Sequence, residues 1–213
     1  MNKKRYIDYI VDKENKRMIN DFNSAYLNCE EIWPTQFVVD TPKHIYTKKI
    51  LLEEQNKEKT LDIGCGFGAF VDYLQNKGLD VYGCEISSEA IKRSPTLIKS
   101  KLKLEQGDLT QRLPYEDMFF KSIICFGVFQ YILKDFDKAM IEIMRVTKNS
   151  GNIFLSVSMS TDSIGSEYID GYQEFITKCK SYLKLNTVFE NYTDLSSINN
   201  KPATDLFIWG KKL

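Results

Sequence analysis

One histidine, His44, stands among 213 residues, and neither charge is in excess: Lys plus Arg and Asp plus Glu number 29 each. With a pI near 6.6 there is no overall electrostatic pull toward nucleic acid or an anionic membrane, so a polyanion-binding role would need a local patch. The longest nearly uncharged apolar run, residues 122–133, is too short to cross a bilayer. The start of the chain, Met1-Asn2-Lys3-Lys4-Arg5, leads into alternating charge and not into an apolar signal core, which points to a cytoplasmic protein with no membrane partner. Cysteine is scarce: Cys29, Cys65, Cys84, Cys125 and Cys179 are odd in number and lack CxxC spacing, which argues against a disulfide framework or a zinc knuckle and for reduced thiols. Disorder is excluded by 43% hydrophobic residues, enough for a domain that buries roughly 70% of its unfolded surface. No repeat, low-complexity tract or long linker divides the chain.

What is present has a clear order. Residues 1–40 alternate charge and aromatics (Arg5, Tyr6, Tyr9, Lys13, Arg17, Phe22, Tyr26), which predicts one or two amphipathic helices ending near Asn28, an N-terminal helical lid before the main domain of residues 41–213. Thr41-Pro42 reads as a helix start, with Ile45, Lys49 and Leu52 along the helix. Short apolar runs at 60–63, 80–84, 101–104, 122–126 and 152–157 then alternate with helix-length segments, the last of these stopped by Asn149-Ser150-Gly151. Alternation of this kind predicts an α/β fold with a mostly parallel sheet and helices on both faces. After a helix through Tyr172, Phe175, Ile176 and Cys179, residues 185–191 and 204–212 are close enough to form an antiparallel pair. The count is seven strands, the last antiparallel to the rest.

The chemistry concentrates at strand ends. Leu61-Asp62-Ile63-Gly64-Cys65-Gly66-Phe67-Gly68-Ala69 sits where the first strand turns into a helix, and its glycines let a ligand approach backbone amides. A tight turn without a ligand would use the same residues. Glu85 ends the second strand, where a carboxylate can accept from both hydroxyls of a ribose, although a helix-capping glutamate fits that position too. Gln106-Gly107-Asp108-Leu109 ends the third, its carboxylate suited to an exocyclic amine. Together these are groups for the parts of an adenosine on the carboxyl edge of an open sheet. The pattern Gly64-x-Gly66-x-x-Ala69 also fits a dinucleotide fingerprint, which leaves a nicotinamide oxidoreductase as a rival. Asp62 argues against it: a carboxylate there opposes a pyrophosphate but suits a ligand bearing an ammonium and a sulfonium.

On these motifs, roughly residues 42–213 resemble the class I S-adenosylmethionine-dependent methyltransferases. Residues 61–68 are similar to their first motif, Glu85 to the acidic ribose residue, Gly107-Asp108-Leu109 to the adenine motif, residues 122–132 to the fourth strand with its substrate-facing turn, and residues 145–151 to the segment before strand five. The resemblance implies S-adenosyl-L-methionine as cofactor, S-adenosyl-L-homocysteine as product and no metal. It implies that Asp62, Gly64, Cys65 and Gly66 meet the methionine part, Glu85 and Ile86 the ribose, Asp108 and Leu109 the adenine, and the Phe126 carbonyl the ammonium. Where the family often has a histidine near the end of the fourth-strand turn, this chain has Gln130-Tyr131. A catalytically silent binder of the same cofactor satisfies the same motifs.

For the acceptor, the fourth strand lacks the Asn/Asp-Pro-Pro-Tyr/Phe signature of nucleobase amino methylation, and no acidic-histidine cluster offers a magnesium site. With balanced charge, that leaves a small molecule or carrier-borne sugar and no nucleic acid. His44 is the residue type that titrates nearest neutrality, with Tyr131 and Gln130 as alternative catalytic or orienting groups. Trp33 and Gln36 are candidate substrate-binding residues in a lid, aided by the 191–203 loop. The block 31–44 is similar to that of small methyltransferases encoded with bacterial surface-glycan genes. The sequence leaves the oligomeric state open.

Overall fold

The computed structural model describes residues 5–12, 14–15, 17–29, 41–53, 58–98, 101–158, 171–193 and 203–213. Near its start the chain forms α1 (Ile7–Ile10), β1 (Val11–Asp12), β2 (Arg17–Met18) and α2 (Phe22–Asn28). The two strands pair as an antiparallel ribbon that the helical expectation did not include. Asp12 closes its turn by accepting from Asn15 N–H, Asn15 Nδ2 and Arg17 Nε at 2.8–3.1 Å. Asp21 caps α2 by accepting from Ser24 N–H at 3.0 Å.

Helix α3 (Pro42–Glu53) begins at the proline, whose fixed φ suits a first helical turn. Its buried face is His44, Thr47, Ile50 and Leu51, while Ile45 is 52% and Leu52 39% exposed. The expected line through Ile45, Lys49 and Leu52 therefore faces outward, because a histidine and a threonine complete the stripe that packs inward.

The remaining elements are β3 (Thr60–Ile63), α4 (Ala69–Gln75), β4 (Val81–Glu85), α5 (Ser88–Leu97), β5 (Leu104–Gln106), β6 (Phe120–Phe126), α6 (Phe136–Val146), β7 (Thr147–Ser158), α7 (Gly171–Lys180), β8 (Leu183–Thr193) and β9 (Ala203–Lys212). One seven-stranded sheet has the order β5-β4-β3-β6-β7-β9-β8. Pairs β3–β4, β3–β6, β4–β5 and β6–β7 are parallel, and β9 runs antiparallel to both β7 and β8. This is the seven-stranded α/β fold expected, with the terminal strand reversed. Several boundaries move. β5 lies later than 101–104, α5 continues through Pro95, and β7 begins at Thr147, across the expected stop. At that point the register slips between Phe120 and Ser122, and Ser150 takes φ 53°, so the Asn-Ser-Gly run makes a bulge inside the strand instead of a loop before it.

Burial alternates with period two and separates the faces. Ile123, Cys125, Ile153, Leu155, Leu206 and Ile208 pack with α6 and α7 through Phe136, Met140, Ile143 and Phe175. Ile124, Phe154 and Phe207 point the other way, against Ile50 and Leu51 of α3 and Phe70, Val71 and Leu74 of α4. A third cluster joins Ile7, Ile10, Ala25 and Tyr26 to Ala90 of α5, seating the N-terminal segment on the sheet's carboxyl side.

Arg145 ties α6 to the chain before β6. Its guanidinium donates to Glu142 at 2.5 and 2.9 Å, to Asp117 Oδ1 at 2.7 Å, and to the carbonyls of Tyr115 and Leu113 at 2.8 and 3.2 Å. Glu142 also accepts from Leu113 N–H at 2.6 Å. Arg145→Ala would leave the buried Glu142 without its cation, and is expected to cost about 3 kcal/mol in a denaturant melt with little change in cofactor affinity.

Candidate active site

The site is built where the parallel strands end. Gly64 N–H and Cys65 N–H both donate to Cys84 O, at 2.7 and 3.2 Å, which folds the end of β3 against the end of β4. Gly64 has φ +75° and Gly66 φ +57°, the left-handed region that side chains disfavour. Space adds to the requirement: a Cβ on Gly64 would lie 2.4 Å from Val128 Cγ2, and one on Gly66 would lie 3.0 Å from the Tyr26 hydroxyl. The turn after β6 and the N-terminal segment both approach this loop.

Glu85, buried at the end of β4, closes it from the other side. One carboxylate oxygen accepts from Gly66 N–H and the other from Ser87 N–H, each at 2.9 Å. Burial raises its pKa, and these amides oppose the rise. Asp62 is buried beneath the same loop, and burial first, then the Glu85 charge, pushes its pKa up to about 8. Two carboxylates share a low-dielectric rim, and burial together with their mutual repulsion favours the protonated form of Asp62. Asp108 Oδ1 accepts from Thr110 N–H and Thr110 Oγ1, both at 2.8 Å, which leaves Oδ2 outside that turn. Leu109 is buried, Ile86 is 39% exposed, and the Ile86 carbonyl accepts from Gln106 Nε2 at 3.1 Å. Since β5, β4, β3 and β6 are neighbours, Asp108, Glu85, the glycine loop with Asp62, and Phe126 follow one another along one edge.

His44 does not face solvent there. Its ring stands edge-on between Phe70 (4.7 Å) and Phe126 (5.2 Å), with Nδ1 2.6 Å from Thr41 Oγ1. Burial, then the charges of Lys43 and Lys48, lowers its pKa to about 3, so the near-neutral titration expected of it is replaced by a neutral ring at pH 7. Gln130 and Tyr131 lie in a short 3-10 turn, Phe129–Tyr131, after β6. Tyr131 packs edge-on against Phe22 at 5.3 Å, and burial raises its phenol pKa. Trp33 and Gln36 lie outside the described residues, as do residues 194–202 of the 191–203 loop.

Three residues at this rim were missed from sequence. Tyr26 is buried over Gly66 and edge-on to Phe67 at 5.0 Å; burial, with Glu85 and Cys65 beside it, raises its pKa. Its carbonyl accepts from Arg93 Nη1, and Asn23 Oδ1 accepts from Ser87 Oγ at 2.9 Å and from Glu89 N–H at 3.3 Å, which clips α2 to the start of α5. Lys43 Nζ pairs with Asp205 Oδ2 at 2.7 Å and lies 5.7 Å from the Phe126 ring centre. The aromatic spacing before Asn28 was the only sequence signal for Tyr26, and nothing local connects Lys43 to Asp205, 162 residues away.

Cys84 and Cys125 are buried and Cys65 half-buried; burial raises all three thiols, Cys84 to about 12, which keeps them protonated. Among the described residues no group of three or more His, Cys, Asp or Glu is placed to hold a metal ion, and no helix is long and apolar enough to cross a membrane.

Residues 61–155 match a family model described as a methyltransferase domain. No curated protein sequence matches the chain. Several solved structures share its fold. The N-methyltransferase NodS from Bradyrhizobium japonicum WM9, in complex with S-adenosyl-L-homocysteine, is 17% identical with a TM-score of 0.63, over 90% of this chain and 96% of that one. An S-adenosylmethionine-dependent methyltransferase from Mesorhizobium loti is 15% identical at TM-score 0.63, over 82% and 100%. Another, from Methanosarcina mazei, is 18% identical at TM-score 0.62, over 77% and 97%. Residues 61–155 thus match a methyltransferase domain, within a chain that has the class I methyltransferase fold.

Proposed function

We propose that this chain transfers a methyl group from S-adenosyl-L-methionine to a small polar acceptor in the cytoplasm, with a sugar-type precursor of a bacterial surface polysaccharide as the acceptor class. The observation that carries the reading is Glu85, at the end of β4, bridging Gly66 N–H and Ser87 N–H beside the buried Asp62 of β3, the strand in which the methyltransferase-domain match begins. The donor set fits the cofactor. Asp62 is a buried carboxylate whose charge an ammonium or sulfonium would stabilise, Glu85 keeps lone pairs for ribose hydroxyls, and Asp108 Oδ2 is available to an exocyclic amine. Gly64, Cys65 and Gly66 would line the methionine part, Ile86 and Leu109 the adenosine part, and Phe126 would offer its carbonyl to the ammonium.

When bound, the cofactor supplies an electrophilic methyl on a cationic sulfur. The chain's own part is alignment and exclusion of water, which together can lower a displacement barrier by about 7–11 kcal/mol. In this reading Gln130 and Tyr131 orient the acceptor and neutral His44 serves as a wall with Phe70 and Phe126. The N-terminal segment serves as the lid through Tyr26 over the glycine loop, and Trp33 and Gln36 are the candidate acceptor-binding residues of that segment. A nicotinamide oxidoreductase and a silent cofactor binder gain no support from the comparisons.

S-adenosyl-L-homocysteine at about 100 times its dissociation constant is expected to stabilise the protein by roughly 2.7 kcal/mol, read as a rise in Tm. An unchanged Tm with both this ligand and S-adenosyl-L-methionine, while NADH raises it, would overturn the reading.

A further inference from the structure

We infer that Lys43 holds the carboxylate of the cofactor's methionine part; the inference rests on the cofactor reading above. That carboxylate needs donors, and the glycine loop has few to give. Among the amides from 64 to 68, Gly64 and Cys65 donate to Cys84 O, Gly66 to Glu85, and Gly68 to Cys65 O at 2.9 Å. The acidic side chains of the rim, Asp62, Glu85 and Asp108, offer an anion no cation. In the cofactor the carboxylate and the ammonium sit on one carbon, so whatever meets the first must stand beside the group that meets the second. That group is the Phe126 carbonyl in the reading above, which asks for a cation next to Phe126.

Lys43 is the cation that the fold brings there. His44 packs edge-on to Phe126 at 5.2 Å, which sets the start of α3 at the carboxyl edge, and Lys43 Nζ lies 5.7 Å from the centre of the same ring. Asp205 accepts from Lys43 Nζ at 2.7 Å, and the two side chains are only 17% and 16% exposed. Strand register fixes where this pair sits. Phe126 pairs with Ser156 of β7, and Asp205 of β9 pairs with Ser158, two residues further on, so Asp205 holds the ammonium past the end of β6 at the rim. Burial first, with Asp205 among the charges nearby, raises the pKa of the Tyr131 phenol in the turn after β6, as a carboxylate on that side should. An ammonium carries three N–H bonds, and the described residues give this one a single acceptor, so a largely desolvated cation keeps donors for a ligand. Other cations near the loop are engaged elsewhere: Arg93 donates to Tyr26 O over Phe67, and Lys48 lies over Tyr73 of α4.

Calorimetry on the full chain tests this with two ligands, S-adenosyl-L-methionine and its decarboxylated form, which keeps the sulfonium and the amine. The readout is the ratio of the two affinities. In Lys43→Met, which keeps an apolar stem over Phe126, the preference for the carboxylate-bearing ligand is expected to fall roughly ten- to a hundredfold from its wild-type value, with affinity for the decarboxylated form within about twofold. Lys43→Met combined with Asp205→Asn strands no carboxylate and should give the same ratio, which separates the effect from a folding defect. An undiminished preference in these variants, or an equal loss for both ligands, would overturn the assignment and leave the cofactor reading standing. A wild-type protein that binds neither ligand would overturn both.

Discussion

Asp62→Asn is expected to make the ligand-free protein more stable at pH 8 and above while abolishing measurable affinity for S-adenosyl-L-methionine. In the folded chain Asp62 keeps its proton up to about pH 8, whereas in the unfolded chain it releases it near 3.8. Between those values the unfolded state holds fewer protons, so stability declines as pH rises through the window, and the full penalty stands above it. The decline is of the order of several kcal/mol, since each unit of separation is worth about 1.4 kcal/mol. Asparagine at position 62 has no charge to desolvate and removes that slope. Chemical melts of both proteins from pH 5 to 9 would show it, and parallel curves would contradict it. Binding has the opposite sign. An incoming cation needs Asp62 ionised, so wild-type affinity should climb with pH, approaching tenfold per unit, and level above about 8.

Glu85→Ala should act on both stability and binding. Gly66 N–H and Ser87 N–H would lose their acceptor, at about 1–3 kcal/mol for each amide left buried and unpaired. Loss of the ribose contacts should weaken S-adenosyl-L-homocysteine by roughly ten- to a hundredfold. Glu85→Gln separates the two effects: it retains one acceptor oxygen, so it should recover part of the stability but little of the affinity. Calorimetry on the three proteins checks this, and unchanged affinity in Glu85→Ala would remove Glu85 from the ribose role.

Much of this arrangement was legible because its causes are local. Apolar runs with period-two burial, such as Ile123, Ile124 and Cys125, identify strands buried on both faces, and glycines at 64 and 66 mark a turn that only left-handed backbone can make. The N-terminal ribbon escaped because two-residue strands carry no period, and its turn is held by Asp12 side-chain bonds. The inward face of α3 was not legible because burial there includes His44 and Thr47, which an apolar count omits. His44 illustrates the limit for chemistry: residue type suggested titration near neutrality, but Phe70 and Phe126, distant in sequence, decide that it is neutral. Tyr26 over Gly66 and Asn23 on the start of α5 are likewise contacts across forty or more residues that no window of sequence contains.

A crystal structure of the full chain with S-adenosyl-L-homocysteine tests the central claim most directly. The account predicts the ligand along the carboxyl rim, its ribose hydroxyls on Glu85, its adenine beside Asp108 and its ammonium near Asp62 and the Phe126 carbonyl. Density for the ligand elsewhere on the molecule, or a rim that stays empty at saturating concentration, would contradict it.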